Sequence, residues 1–341
     1  MKNITILGID LAKNVYQIHA NDERGRTLLK KQITRKDLIP FISQIPQCVI
    51  AMEACGGSHF LSRKFSSFGH EVKLISPQFV KPFVKGNKND AADAAAICEA
   101  AVRPSMHFVP TKEVWHQDVQ IIYRVRERHS TQRTALCNQI RGILAESGLV
   151  TRQGINPLKT FIRELLADES ESISQMCRIT LADLLEELRE LEEKIEVNDD
   201  RLKKIAEENE ACRRLMKIKG LGKITATALV AAVPNPKVFK NGRQFAAWLG
   251  LVPKHTGTGG KNQMGRISKR GDKYLRCLLV HGARSGIRKA EKQEDSLSKW
   301  VSGLKERRGY NKAAVALANK NARIIWAMLA KNEDYNPQLA S

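Results

Sequence analysis

The sequence contains no apolar run close to the roughly 20 residues that a membrane-spanning helix needs. We also expect no secretory signal at its start. The stretch MKNITILGIDLAKN reaches Asp10 before an apolar core can form, and it contains no cleavage site. We therefore predict a cytoplasmic protein.

Paired cysteines are also missing. The seven cysteines are an odd number, and no two of them have the C-x-x-C spacing. This pattern argues against a disulfide framework and gives no indication of a zinc site. Most of the cysteines are predicted to be small core residues in a reducing compartment.

Acidic residues are scarce relative to basic ones. The 341-residue chain has 36 Asp and Glu against 57 Lys and Arg, which gives a formal net charge of +21. A chain this basic is predicted to bind a polyanion. Nucleic acid is the first candidate, and an anionic membrane surface is the second. The length is enough for two or three domains.

The first hundred residues alternate between short apolar runs and amphipathic stretches. The pattern predicts strands at 4–10, 15–22, 27–34, 48–54 and 70–76, and helices at 36–45, 58–69 and within NKNDAADAAAICEAA (87–101). Three strands that can form an antiparallel meander, followed by alternating helices and strands, indicate a mixed sheet with helices on its faces.

Four acidic residues fall at the ends of these predicted elements. Asp10 ends the first strand, Glu53 ends the fourth, and Asp90 and Asp93 lie three apart on one helix face. This order resembles the ribonuclease-H-like fold of RuvC-type Holliday-junction resolvases, which carry acids at these places. We predict a Mg²⁺ site, because that ion prefers several hard oxygen ligands. The alternative is that Asp90 and Asp93 only cap their helix.

Residues 113–150 are predicted to be helical and basic on the surface. Their arginines could follow the phosphates of a nucleic acid, or they could form a solvated helix face. These arginines are Arg124, Arg126, Arg128, Arg133 and Arg141.

Residues 178–212 follow a heptad pattern that predicts a coiled coil of about four heptads. The positions seven residues apart are Leu181, Leu188, Ile195 and Leu202. Asn198 interrupts the apolar seam, which is typical of a position that fixes register. The coiled coil would be either a dimerisation arm or an intramolecular spacer.

Residues 213–233 form two predicted helical segments joined by Gly220-Leu221-Gly222. The arrangement resembles the helix-hairpin-helix motif, whose glycine turn offers backbone N–H groups to a DNA phosphate. We predict that Gly220, Gly222 and Lys223 contact nucleic acid. A plain helix pair with a tight turn is the alternative.

Residues 245–285 combine a glycine-rich loop with the densest group of basic residues. The stretch lacks the G-x-x-x-x-G-K-[ST] order of a nucleotide-binding P-loop. Its glycines let the backbone approach a phosphate closely, so we interpret it as a surface that handles phosphodiesters. The residues predicted to contact nucleic acid here are Lys261, Arg266, Lys269, Arg270, Lys273 and Arg276.

Three further motifs, FAAWLGLVP, GRISKRGDKYLR and ALANKNARIIWAML, accompany the four acids. In this combination the chain resembles the DEDD transposases of the insertion-sequence family numbered one hundred and ten, especially its eleven-eleven subgroup, over nearly its whole length. With the resemblance we expect a RuvC-like domain (1–112), basic helices and a coiled coil (113–212), and a mostly helical C-terminal transposase domain (213–333).

The resemblance also implies an activity. Members of this family are recombinases that excise and insert their element, guided by a structured bridge RNA that pairs with donor and target DNA. They assemble as homodimers and homotetramers, and no membrane is involved. The acids of one subunit act with a serine nucleophile of another. Carried over to this chain, the acids are Asp10, Glu53, Asp90 and Asp93, as metal ligands and catalytic residues.

The family's serine is missing from this chain. The corresponding loop reads KHTGTGGK, and its hydroxyl groups belong to Thr256 and Thr258. A threonine hydroxyl can attack phosphorus as serine does, although its methyl group crowds the approach. We predict that Thr258 is the nucleophile, with Thr256 as the second candidate and Ser268 as the third.

Two other functions fit the same residues. One is a metal-dependent junction resolvase or nuclease that uses water and only the four acids. The other is a non-catalytic nucleic-acid-binding protein in which the acids are structural. A covalent protein–DNA species separates the transposase from the nuclease, and substitution of the acids separates both from the binding protein.

Overall fold

The computed structural model describes residues 3–84, 90–168, 173–258, 261–291 and 293–336. Within these ranges, the side chains of residues 90, 91, 258, 261 and 262 lie outside the description. The chain divides into two compact units. Unit 1 comprises residues 1–116 and 233–240, and unit 2 comprises residues 117–232 and 241–341. The domain boundaries expected at 112 and 212 stay a prediction.

Unit 1 is built on one six-stranded sheet. Its strands are β1 (Ile6–Leu11), β2 (Val15–Asn21), β3 (Thr27–Thr34), β4 (Val49–Glu53), β5 (Glu71–Ile75) and β6 (Phe108–Val109). Their order across the sheet is β3-β2-β1-β4-β5-β6. The first three form an antiparallel meander, β1, β4 and β5 run parallel, and β6 is antiparallel to β5. The predicted mixed sheet is confirmed.

Helices cover both faces of this sheet. They are α1 (Arg35–Ser43), α2 (Ser58–Ser66), α3 (Pro77–Val80) with a 3-10 turn at Lys81–Phe83, and α4 (Asp90–Ala101). Successive side chains of a strand point to opposite faces. Leu7 and Ile9 of β1 therefore pack in one core with residues of α1 and α2, whereas Ile6 packs in a second core with residues of α4.

Gly8 explains how closely α4 approaches the sheet. A Cβ atom at this position would lie 2.5 Å from the carbonyl oxygen of Ala94 and 2.7 Å from the Sγ atom of Cys98. Only glycine accommodates that approach, since such distances are far below van der Waals contact. The alanines of α4 have the same effect, because small side chains let the helix lie close to β1.

Unit 2 is mostly helical. Its helices are α5 (Val114–Glu146), which begins at the end of unit 1, α6 (Ile155–Ala167), α7 (Gln175–Glu208), α8 (Glu210–Leu215), α9 (Lys223–Ala232), α10 (Gly242–Trp248), α11 (Lys273–Ala290), α12 (Ser296–Arg308) and α13 (Tyr310–Lys331). A short 3-10 turn at Pro236–Val238 belongs to the segment assigned to unit 1. Within the described part of the chain, no helix is both long and apolar enough to cross a membrane.

A two-stranded hairpin interrupts these helices. Strand β7 (Pro253–Thr258) pairs antiparallel with β8 (Lys261–Ile267). The sequence predicted a glycine-rich loop here, and that prediction was wrong. The hairpin is held by its backbone ladder and is exposed on its surface, so it shows none of the apolar alternation that identifies a half-buried strand.

The heptad pattern lies on α7, and its apolar seam is covered inside the same unit. Leu181, Leu188 and Leu191 belong to one core together with residues of α5 and α6. The side-chain amide of Asn198 donates to the carbonyl oxygen of Lys194, one turn back in its own helix, at 2.7 Å. This burial supports the intramolecular alternative, and a coiled coil between two chains stays a prediction.

The two glycines of the predicted helix-hairpin-helix have different surroundings. Gly220 has a φ of +86°, and a Cβ atom there would lie 2.1 Å from the carbonyl oxygen of Gly282 in α11. A Cβ atom at Gly222 would meet no atom within 4 Å. Gly220 is therefore required for close packing between the α8–α9 turn and α11, while Gly222 lies in open space.

Candidate active site

Two of the predicted acids stand side by side in unit 1. In the parallel pair of β1 and β4, Ile9 lies opposite Met52, so Asp10 and Glu53 follow at the carboxyl ends of neighbouring strands. Asp10 is two residues after Gly8, which faces α4, and alternate residues share a face. Both acidic side chains are only partly exposed. The sheet register thus brings these carboxylates to one edge.

Asp93 completes a group of three acids. It directly precedes Ala94, the residue of α4 that contacts β1 at Gly8. The pKa of Glu53 is raised by burial and, further, by the negative charges of Asp10 and Asp93. This electrostatic effect indicates that the charges of Asp10 and Asp93 lie near Glu53. The backbone of Asp90 begins α4, but its side chain lies outside the described residues.

The donor set fits a divalent cation. Carboxylate oxygens are the ligands that Mg²⁺ and similar hard ions prefer, and a cation would relieve the repulsion around Glu53. Among the described side chains, which do not include that of Asp90, no three acidic, histidine or cysteine residues are close enough to hold one ion. A bound cation would therefore have to draw Asp10, Glu53 and Asp93 closer together than they lie in the structure.

Cys55 lies beside the acids and was not singled out from the sequence. The pKa of its thiol is raised by burial and by the charges of Glu53 and Asp10. Its position two residues after Glu53 was the available signal.

The candidate hydroxyl groups lie on and after the hairpin of unit 2. Thr256 pairs with Gln263, and Thr258 pairs with Lys261 at the hairpin tip. The Thr256 residue is exposed, and its hydroxyl donates to the carbonyl oxygen of Gln263 at 3.5 Å. The Thr258 side chain lies outside the described residues. The Ser268 hydroxyl is buried and has no hydrogen-bond partner in the described part of the chain, which makes it a poor nucleophile for a large substrate.

The basic loop at residues 268–272 is held against a tight turn. The amide of Ser268 donates to the carbonyl oxygen of Val252 at 2.8 Å, and the amide of Lys269 donates to that of Gly250 at 3.1 Å. Lys269 has a φ of +55°, a conformation that non-glycine residues seldom adopt. A Cβ atom at Gly271 would lie 1.9 Å from the carbonyl oxygen of Trp248. The loop is therefore pre-formed.

Asp272 anchors the end of this loop. Its carboxylate accepts from the amides of Tyr274 and Leu275 and thereby caps α11, and it accepts from an Nη atom of Arg124 at 2.9 Å. The Arg124 guanidinium also lies over the rings of Tyr123 and Tyr274, which are stacked with centroids 5.0 Å apart. An Asp that precedes a helix is a sequence signal for an N-cap, so this role could have been found.

The arginines of α5 are largely engaged within unit 2. Besides Arg124, Arg126 forms an ion pair with Asp199, and Arg141 donates to the carbonyl oxygen of Gly154 at 2.8 Å. Arg128 lies 3.0 Å from the ring of His129. Arg126 and Arg141 therefore join segments of unit 2, whereas Arg124 and Arg128 are exposed, and the two alternatives predicted for this row stay predictions.

The residues predicted to contact nucleic acid differ in exposure. Arg266, Lys269, Arg270 and Lys273 are exposed, whereas Lys223 is partly buried. Arg276 is also partly buried and donates to the carbonyl oxygen of Leu249 at 3.2 Å. The Lys261 side chain lies outside the described residues. The exposed set gathers on the hairpin, the loop and the first turn of α11.

Comparisons with known proteins match both the N-terminal part of the chain, which carries the acids, and the C-terminal part, which carries the basic hairpin and loop. A DEDD transposase model matches residues 7–148, and the model "Transposase IS116/IS110/IS902 family" matches residues 212–298. The chain is 45% identical over 336 residues to a "Probable family 20 transposase" of Pseudomonas aeruginosa, covering 98% of this chain and 99% of that protein.

Two further relatives are named after insertion sequences. The transposase of IS1111A from Coxiella burnetii is 43% identical over 98% of this chain and 92% of its own length. The transposase of IS1328 from Yersinia enterocolitica is 43% identical over 96% of this chain and 97% of its own length. The DEDD transposase domain is ribonuclease-H-like, as expected from the sheet of unit 1, and it suggests a divalent metal ion. The chain belongs to the IS110/IS116/IS902 family of transposases, and its activity is DNA transposition by recombination.

Proposed function

We propose that this transposase cuts and rejoins DNA with a Mg²⁺-binding acid site in unit 1 and a hydroxyl nucleophile on the hairpin of unit 2. The observation that supports the proposal is the position of Asp10 and Glu53 at the carboxyl ends of neighbouring strands, with Asp93 on α4 near enough for its charge to raise the pKa of Glu53. Asp90 is proposed as the fourth acid, from the first turn of the same helix.

The acids would hold the metal ions in fixed positions because Asp10 and Glu53 come from a rigid sheet and Asp93 from a tightly packed helix. Bound there, Mg²⁺ would polarise the scissile phosphate and stabilise the leaving oxygen. Glu53 and Asp10 would receive no proton in this scheme, so both are needed as carboxylates.

Thr258 is proposed as the nucleophile and Thr256 as its alternate. The threonine hydroxyl would lose its proton and its oxygen would form a bond to phosphorus while the bond from phosphorus to a deoxyribose oxygen breaks. That sugar oxygen would take up a proton and leave as a hydroxyl, so no net proton is gained or lost. The reverse steps reseal the strand, so no external energy source is required. Exposure of Thr256 and the tip position of Thr258 support access to DNA.

The loop that follows the hairpin would bind the phosphates. Lys269 and Arg270 are exposed and lie in this loop, whose backbone packs against Gly250 and Trp248, and Arg266 is exposed near the end of β8. A rigid cationic loop neutralises charge that develops on the phosphate without reorganisation. Binding should weaken steeply with salt, as for any contact dominated by phosphates.

A structured bridge RNA is proposed as the guide, with the enzyme acting as a homodimer or homotetramer in the cytoplasm. The net charge of +21 supports binding of both RNA and DNA. The acids and the hydroxyl groups belong to separate compact units, which is consistent with a site assembled from two subunits. Sequence choice would then lie in base pairing, as in other RNA-guided proteins.

The deciding experiment searches for a covalent protein–DNA species. The protein is incubated with its element's RNA, donor and target DNA and Mg²⁺, and the products are separated on a denaturing gel. An adduct that peptide mass mapping assigns to residues 254–261 supports the proposal. Thr258→Ala should abolish the adduct and Thr258→Ser should preserve it. If Thr258→Ala leaves recombination intact, the assignment to Thr258 is wrong.

A metal-dependent resolvase or nuclease that uses water remains the second candidate. The observation that favours it is the absence of a serine from KHTGTGGK, while the acid cluster of unit 1 is self-contained. This candidate predicts nicked DNA without any adduct, and activity that survives substitution of Thr256 and Thr258. A non-catalytic binding protein would tolerate Glu53→Ala altogether.

A further inference from the structure

A large open groove in unit 2 is lined mostly by residues that have no role in the chemistry described above. It lies between the strand β8, the basic loop and the helices α12 and α13, and it has a volume of about 1780 Å³. Sites for small molecules measure about 300–1,000 Å³, so this groove is larger than such a ligand needs. The face of α13 from Lys312 to Ala327 forms one wall, about 22 Å long at 1.5 Å per residue.

The charges that line the groove all have one sign. Five cations and no carboxylate are among its lining residues; the cations are Arg266, Lys269, Lys312, Lys320 and Arg323. Elsewhere in unit 2 lysines find acidic partners, as Lys305 does with Glu291. Within the described part of the chain, by contrast, Arg266, Lys269, Lys312 and Arg323 have no carboxylate at ion-pair distance.

Partial burial makes the positive charge of the groove energetically less favourable. The pKa of Lys320 is lowered by burial and then by the neighbouring charge of Arg323. In the described part of the chain, no carboxylate forms an ion pair with Lys320 or Arg323 that would relieve this repulsion. A bound polyanion would remove that repulsion.

Flat and apolar surfaces lie beside the cations. Trp300 lines the groove, and the Nζ atom of Lys320 is 4.5 Å from the centroid of its ring. Met264 on β8 is 76% exposed, and Val315 and Ile324 form part of the α13 wall. Proteins that bind single strands combine a cationic groove with aromatic surfaces for the bases. A duplex keeps its base faces stacked inside and would not use this surface.

We propose that this groove binds a single nucleic-acid strand, with its phosphates on the cations of α13 and the loop and its bases against Trp300. The strand would leave the groove beside β8, which belongs to the hairpin that carries Thr256. A single-stranded segment adjoining the cut site is thereby held in line with the proposed nucleophile. Only the alignment of the strand with the nucleophile rests on the proposed function. Binding of the strand by the groove does not.

The test measures binding of fluorescent oligonucleotides of about 12 nucleotides, a length within the range of known single-strand sites, to the full-length protein by anisotropy. The groove variant is Lys312→Gln with Lys320→Gln and Arg323→Gln. We expect its Kd for a single strand to rise at least about tenfold, and its salt slope to fall by about 2, since each phosphate contact contributes about 0.7.

The matched control removes the same charge from unit 1 with Arg24→Gln, Lys30→Gln and Lys36→Gln, three exposed residues. It should keep the wild-type Kd within about twofold if the groove carries the binding. The single substitution Lys312→Gln is included because that side chain is exposed and its loss should not disturb folding. Trp300→Leu should weaken binding about tenfold by loss of stacking.

Photocrosslinking locates the strand directly. An oligonucleotide that contains 5-iodouracil should crosslink to the peptide of α12 that includes Trp300. Wild-type binding by the groove variant, equal affinity for duplex and single strand, or crosslinks only outside α12, α13 and β8 would overturn the proposal. Preference for DNA identifies the strand being cut, and preference for RNA identifies the guide, and both support a single-strand groove.

All binding is measured without Mg²⁺ and repeated with Glu53→Gln, so that no cleavage is required. If single-strand binding depends on the groove but no covalent adduct forms, the groove proposal is supported and the hydroxyl mechanism is wrong. If an adduct forms but the groove variant binds a single strand as the wild type does, the hydroxyl mechanism is supported and the groove proposal is wrong.

Discussion

The acid site of unit 1 and the basic surface of unit 2 position their charges in different ways. In unit 1, like charges are forced together because sheet register and a helix packed at Gly8 fix Asp10, Glu53 and Asp93. In unit 2, exposed cations extend from a loop that glycines and Asp272 hold in place. The first arrangement suits a tightly bound ion, and the second suits an extended polyanion.

The largest effect should follow from breaking the acid site. Glu53→Gln or Asp10→Asn is expected to lower the recombination rate by about 10³-fold or more, the scale on which preorganised electrostatic groups act in catalysis. Removal of one of three mutually repelling carboxylates should leave the Tm unchanged or raised. The measurement is recombination in a donor–target assay together with thermal unfolding. Full activity in either variant would show that the acids are not catalytic.

The next largest effect should come from the glycine pair of the α8–α9 turn. Gly220→Ala places a methyl group 2.1 Å from the Gly282 carbonyl oxygen at a φ of +86°, and overpacking of this kind costs about 1–3 kcal/mol before the backbone strain is added. Urea unfolding measures the change. Gly222→Ala, in open space, is the matched control and should cost less than about 0.5 kcal/mol. Equal losses for both variants would contradict the close packing.

Units 1 and 2 also differ in how much of their structure could be predicted from the sequence. The positions of Asp10 and Glu53 follow from strand order and a two-residue alternation, which are local patterns, and unit 1 was predicted almost element by element. The hairpin β7–β8 was not, because its pairing is held by backbone hydrogen bonds between exposed residues. The contact of Gly220 with Gly282 joins segments far apart in the chain, and no local pattern reports such a contact.

Helix α12 and the role of Asp272 illustrate two further limits. The segment around Ser296–Arg308 is rich in charges, so its apolar face was too narrow to recognise. The cap formed by Asp272 could be recognised from its place before a helix, but its partner Arg124 lies 148 residues away. Solvent exposure also distinguishes two of the candidate nucleophiles, because Thr256 is exposed and the hydroxyl of Ser268 is buried. This difference is visible only in the three-dimensional structure.

A smaller effect should distinguish an arginine that holds the fold from a lysine that binds DNA. Arg124→Gln removes a half-exposed ion pair and a cation–π contact with two rings, and should lower the free energy of unfolding by about 1 kcal/mol. Its DNA affinity should keep the wild-type salt slope. Lys269→Gln should leave stability nearly unchanged but lower the salt slope by about 0.7–0.9. The reverse pattern would mean that α5 contacts phosphates.

The smallest effect concerns Asp295, whose pKa is lowered to about 2 by its ion pair with Lys219 and by Ser298. Because the folded-state pKa lies below the ordinary value of 3.8, this contribution is complete above pH 3.8 and is lost as the pH falls toward 2. Asp295→Asn keeps a side-chain oxygen that can cap α12 but removes the charge. It should therefore cost no more than about 1 kcal/mol at pH 7, since the pair is partly solvated.

Urea unfolding at pH 7 and pH 3 checks this prediction, and the difference between wild type and Asp295→Asn should be smaller at pH 3. A difference that is independent of pH would mean that Asp295 acts through its cap and not through its charge. The carboxylates of unit 2 would then differ from those of unit 1 in their effect on stability. There, substitution of a carboxylate is expected to relieve repulsion, whereas in unit 2 the isolated carboxylates Asp272 and Asp295 stabilise a fold that is otherwise dominated by positive charge.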